Sequence, residues 1–150
     1  MTNQRIKSVR LPIEIIEAVE YEARQRGVTF TDVVESGLRK ELNLAPNPTV
    51  ALLIALKQLI EHDYPNKSRF PQDITRRIFL KLRDEPELRA LYDAAIACDD
   101  PENLEHKRNL HRQLGLHIKR IFGAKVLRKT VPVKAPDELI RVYSLLVPAR

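Results

Sequence analysis

Residues 5–42 read RIKSVRLPIEIIEAVEYEARQRGVTFTDVVESGLRKEL, and the spacing of apolar, turn-forming and charged residues within them decides the fold. Arg5 to Pro12 predicts one short strand, because Val9 and Leu11 alternate with Ser8 and Arg10, the period of a half-buried strand. Pro12 stops it: proline cannot donate to a strand ladder, and its fixed φ suits the first turn of a helix. A first helix is expected from Ile13 to Arg26, with Ile15, Ile16, Val19 and Ala23 at helical spacing. Glu14, Glu17 and Glu20 load its N-terminal half, and Arg24 and Arg26 its last turn, so both ends suit the helix dipole. Gly27 follows as the residue that ends a helix in a left-handed conformation. Thr29 is an N-cap, with Asp32 three residues on in the capping-box position, for a second helix through Val33, Val34, Gly37, Leu38 and Leu42. Gly37 costs that helix about 1 kcal/mol relative to alanine, which is tolerable if another backbone comes close there.

A lone strand ahead of two short helices leaves backbone groups unpartnered, and some 40 residues bury too little apolar surface to fold alone. Two copies solve both problems if their strands pair antiparallel across a two-fold axis above four packed helices. With Val9 and Leu11 turned to the core, Ser8 and Arg10 project from the other face, with Ile6 in phase behind them. A two-stranded ribbon fits the DNA major groove, where Arg10 can bind guanine O6 and N7, Ser8 can donate or accept, and Ile6 can touch a thymine methyl.

Arg10-Leu11-Pro12, Ala23 four residues before Gly27, and Gly27-x-Thr29-x-Thr31-Asp32-Val33-Val34-x-x-Gly37-Leu38 resemble the Arc/MetJ/CopG ribbon-helix-helix family. The resemblance covers residues 5–42. It implies a homodimer whose paired ribbon enters the major groove of double-stranded DNA, bound there as a single dimer or as a higher-order array. It also implies a DNA phosphate seated on the N-terminus of the second helix, here at Thr29, Phe30 and Thr31, where free amides and the helix dipole favour an anion. Lys7, Glu22 and Phe30 depart from the family's usual residues, which bears on base sequence and phosphate clamping.

Asn43 to Thr49 holds two prolines and turn formers, so the expected organisation is a domain at 1–44, a linker at 45–49 and a second domain at 50–150. The second part predicts a helix capped by Thr49 to about Glu61, another from about Gln72 to Arg83 burying Ile74, Ile78, Phe79 and Leu82, and a third from Asp84-Glu85-Pro86 to about Cys98 burying Leu88, Leu91, Ala95 and Tyr92. Asp100-Pro101-Glu102 starts a long helix to Phe122, ended by Gly123. Lys125 to Val133 reads as a short strand. Asp137 to Val147 fits either a helix capped by Asp137 or a strand. The expected fold class is mainly α, a dimeric ribbon-helix-helix followed by a mostly helical domain with one or two short strands.

Charge separates the two parts. Residues 1–44 hold seven Lys/Arg and seven Asp/Glu, so the net charge of +6 resides entirely in 45–150, and Lys107 to Lys134 contains nine Lys/Arg and no carboxylate. Such a stretch favours a polyanionic partner. On the long helix Arg108, Arg112, Gly115 and Lys119 form one stripe beside the apolar Leu110, Leu114, Ile118 and Ile121. Together with Arg128 and Lys129 they make a candidate second DNA surface, in an order of elements similar to a winged helix with a basic wing.

Other classes fit poorly. No apolar run approaches the roughly 18 residues of a membrane span, and the N-terminus lacks the apolar stretch of a signal peptide. The single cysteine, Cys98, fits a reducing cytoplasm and a small buried residue late in a helix. His106, His111 and His117 do not share a helix face, so no metal site is expected; with four glycines there is no phosphate loop, and Asp99-Asp100 and Glu85/Glu87 read as helix-start charges. No cofactor and no enzymatic activity are expected. The expected function is sequence-specific transcriptional regulation, as a repressor. Its alternatives are an antitoxin-type autoregulator binding a protein partner through residues 50–150, and an accessory DNA-binding protein in plasmid segregation or conjugative transfer.

Overall fold

The computed structural model describes residues 4–97 and 104–149. Among these residues the chain forms six helices and one hairpin: α1 (Ile13–Arg26), α2 (Phe30–Glu41), α3 (Pro48–Asp63), α4 (Ile74–Asp84), α5 (Pro86–Ala97), α6 (Leu104–Phe122), β1 (Ala124–Pro132) and β2 (Val142–Pro148). The mainly helical class with a small antiparallel sheet is as expected, but both strands are C-terminal.

The helix pair at the head follows its sequence signals closely. Pro12 begins α1, its carbonyl accepting from the amides of Ile15 and Ile16, and Gly27 ends it at φ +68°. Thr29 caps α2 in a complete capping box: its Oγ1 accepts from the Asp32 amide at 3.1 Å, and its own amide donates to the Asp32 carboxylate at 3.0 Å. Asn43, at φ +55°, takes the left-handed position just past α2. Arg39 then reaches from α2 to the carbonyl of Ala45 at 2.8 Å and holds the start of the linker.

The expected strand over 5–12 is not formed within the chain. These residues have no regular secondary structure and are exposed, with Ile6 at 99% and Val9 at 75% of full exposure, and Leu11 also open. A strand requires a neighbour for its amides and carbonyls, and no other segment of the described chain lies alongside. The inward turn expected of Val9 and Leu11 is correspondingly absent from the single chain. Ala23 alone among 4–44 is buried.

The core lies in the second part, where α3 to α6 pack around Leu52, Leu56, Ile60, Ile74, Ile78, Leu82, Leu114 and Ile118, all essentially inaccessible. α4 buries the four residues its periodicity predicts, and Tyr92 of α5 is inward as read. The cap of α3 differs from expectation: Asn47, not Thr49, accepts from the Thr49 and Val50 amides at 3.0 and 3.4 Å, because Pro48 occupies the first helical position. α4 starts at Ile74, two residues later than expected, after a turn closed by the Ile74 amide on the Pro71 carbonyl. Cys98, Asp99-Asp100 and the Asp100-Pro101-Glu102 helix start lie outside the described residues.

Gly123, at φ +56°, ends α6 and reverses the chain into β1. β2 settles the ambiguous Asp137 to Val147 segment as a loop and a strand, so Asp137 caps no helix. The pair is antiparallel, from Ala124 opposite Pro148 to Pro132 opposite Val142, with irregularities after Val126 and Arg128. Thr130 lies at φ +60° in the second of these. The Leu146 amide donates to the Gln72 carbonyl at 2.9 Å, tying the hairpin to the start of α4.

Candidate nucleic-acid interface

Three surfaces of the chain carry the residues singled out from sequence. The first is the N-terminal arm. Ile6, Ser8 and Arg10 are all exposed, outside any regular element, so their side chains are free to meet a ligand.

The second is the N-terminus of α2. The capping box consumes the amides of Thr29 and Asp32, so of the three expected phosphate-binding positions Thr29 is occupied by the Asp32 carboxylate. The amides of Phe30 and Thr31 remain, in the first turn where a helix has no partners of its own. Sequence distance hid the surroundings of this turn. Gly27 packs on α3 and α6 so closely that an added Cβ would lie 2.5 Å from Lys57 Cδ and 3.2 Å from His117 Cε1. A hollow of about 650 Å³ opens beside it, lined by Arg24, Thr29, Lys57, Lys67, His117 and Arg120 among others. Lys57 and Lys67 both pair with Glu61, at 2.5 and 3.2 Å, so this carboxylate offsets part of their charge. His117 adds no charge: burial lowers its pKa, and its Nε2–H donates to the Leu53 carbonyl at 2.7 Å. Arg24 and Arg120 make no ion pair among the described residues. The acid-free run from Lys107 to Lys134 signalled Arg120, whereas Lys57 sits inside a very apolar helix and gave no sign.

The third surface is a groove of about 890 Å³ between α6 and the hairpin. Arg108, Arg112, Gly115 and Lys119 line it from one face of α6, as their spacing predicted, and Lys129 lines it from β1. Arg128 does not line it: the irregularity between Val126 and Arg128 breaks the alternation that would otherwise put Arg128 on the same face as Val126, which does line the groove. Beneath the groove, His111 stacks on Tyr92, meets Phe79 edge-on and shares a 2.7 Å hydrogen bond with the Tyr92 hydroxyl. Burial, then the nearby Lys107 charge, pushes its pKa down to about 4, and burial pushes the Tyr92 hydroxyl up to about 12. Both are therefore neutral at pH 7. Glu138 is buried against Arg76, which donates two bonds to it at 2.9 and 2.8 Å and holds its carboxyl below the usual range.

The described residues contain no cluster of three or more His, Cys, Asp or Glu able to hold a metal ion, and no helix long and apolar enough to cross a membrane. No protein-family model, curated protein or solved structure matches the chain.

Proposed function

We propose that the protein is a sequence-specific DNA-binding transcriptional regulator, a repressor, that acts as a homodimer with a ribbon-helix-helix head and a β-ribbon in the major groove. One observation carries this reading: residues 5–12, patterned as a strand in sequence, are exposed and without a partner strand, ahead of a helix pair that buries only Ala23. Ile13, Ile15 and Leu38 on the helices, and Leu42 just past α2, are also substantially exposed. This is half of a core, and a second copy is the partner whose strand has the same sequence and whose helices carry the same open apolar faces. Gly37 has nothing within 4 Å of where its Cβ would be, so its place in α2 suits the close approach of the second copy's backbone.

In that arrangement Ser8 and Arg10, with Ile6, face the bases, and the Phe30 and Thr31 amides face a phosphate. The neutral head draws its electrostatic attraction to DNA from the basic second part. Arg120 of the second part lines the same hollow as the α2 N-terminus, beside Arg24 of the head, which supports a DNA backbone passing there. The compact core of α3 to α6 supports this reading over an antitoxin-type autoregulator, whose partner-binding segment would be short and unfolded.

Footprinting on upstream DNA from the native host tests the proposal. Wild type protects a discrete site with strongly salt-dependent affinity, and Arg10→Ala loses that protection while keeping weak general binding. Equal protection by both proteins refutes readout by the ribbon.

A further inference from the structure

The groove between α6 and the hairpin is lined by no residue of the first 44, and its chemistry differs from that of a DNA-backbone surface. Its volume, about 890 Å³, is that of a small-molecule site. Phe79, Leu116, Val126 and Leu146 give it apolar lining, and cations border it: Lys107, Arg108, Arg112, Lys119, Lys129 and Arg141. Among the described residues none of these six makes an ion pair. Arg112 donates only to Asn109 and Arg141 only to the Pro136 carbonyl. The one carboxylate in the lining, Glu138, is already held in a two-bond pair by Arg76 and offers these cations no free charge. Six cations gathered without counter-charge around an apolar concavity repel one another, and an anion with an apolar body relieves that repulsion while covering the floor.

Gly115 adds an independent observation. It stands in the interior of the 19-residue α6, where glycine costs about 1 kcal/mol relative to alanine. No atom lies within 4 Å of where its Cβ would be, so no neighbour requires its small size. What the missing side chain leaves open is the groove, which Gly115 lines between Arg112 and Lys119.

We propose that this groove binds an amphipathic organic anion, its apolar body on the Phe79–Leu146 floor and its carboxylate or phosphate under Arg112 and Lys119. The site is independent of the DNA-reading head, so a failure of Arg10→Ala to alter DNA binding leaves it standing. Calorimetric titration of the full chain with decanoate, decyl phosphate and 1-decanol, each below its aggregation limit, tests it. One anion binds per chain at least tenfold tighter than the alcohol, and the stronger of the two anions identifies the head group. Arg112→Ala with Lys119→Ala weakens anion binding tenfold or more, and Gly115→Leu abolishes it without lowering the melting temperature. Absence of saturable binding, equal binding of 1-decanol, or anion binding untouched by both variants overturns the proposal. So does a loss of duplex-DNA affinity in Arg112→Ala/Lys119→Ala with decanoate binding unchanged, because the cations then serve DNA. Should Gly115→Leu fold poorly, the arginine–lysine variant decides alone.

Discussion

Replacing Gly27 with alanine tests how the head is seated on the body. Two costs add at this position. The backbone sits at φ +68°, where a residue with a Cβ is strained by about 1–2 kcal/mol. The new Cβ would lie 2.5 Å from Lys57 Cδ, inside any real contact, and Lys57 is held there with its side chain 17% exposed and its amine on Glu61. Lysine is flexible, so the second cost is that of moving a mostly buried stem, about 1–2 kcal/mol at the low end of overpacking. The sum, roughly 2–4 kcal/mol, lowers the melting temperature by about 5–15 °C in a chain of this size. Calorimetry of Gly27→Ala, Lys57→Ala and the double variant separates the terms. Lys57→Ala alone costs little, and in its background Gly27→Ala costs only the backbone share, giving a coupling of about 1–2 kcal/mol. A melting temperature for Gly27→Ala within 2 °C of wild type (roughly the shift expected from ~0.5 kcal/mol), or full additivity with Lys57→Ala, refutes the packing of this turn on α3.

Two further outcomes follow from the same structure. Leu38 is 56% exposed in the single chain; burying that remainder in a dimer contributes about 1–2 kcal/mol per copy, twice by symmetry, so Leu38→Asp raises the dimer dissociation constant at least ~30-fold. Sedimentation equilibrium checks this, and a wild type that remains at 17.3 kDa at every concentration contradicts it. His111 binds its proton near pH 4 in the fold against an ordinary 6.5 in the unfolded chain. The unfolded chain therefore takes up more protons in between, so the stability His111 contributes is whole above pH 6.5 and is lost as pH falls toward 4. His117 acts in the same direction. The urea midpoint should drop across that window and drop less in His111→Phe; an identical pH profile in the variant rules out the role.

The helices of the head were legible because their signals are local. Thr29, Asp32 and Gly27 act within a few residues of themselves, and the structure uses each as a cap or a helix stop. The strand over 5–12 was legible as a pattern but has no partner within one chain, so hydrogen bonding cannot realise it there. Asn47 is obscured as the α3 cap because Thr49 competes for the same role two residues on, and the proline between them decides it. The Asp137 to Val147 segment has apolar residues that satisfy both periods, and pairing with β1 chose the strand. Lys57 and Lys67 beside Thr29 could not be read, since nothing local to α3 or to the turn after it announces a shared hollow with residues about 30 to 40 positions earlier. The groove was half legible: the acid-free run and the Arg108-Arg112-Gly115-Lys119 stripe named one wall, while the apolar floor depends on how α4 and the hairpin close over α6.

The most direct measurement is selection of binding sites by the full-length protein from a pool of random duplex DNA, alongside Arg10→Ala. The account predicts an enriched site with two related half-sites, and a variant that discriminates less at the position Arg10 reads, by about 1–3 kcal/mol. A pool that stays random with wild type, or one that gives Arg10→Ala the same site at the same strength, contradicts it.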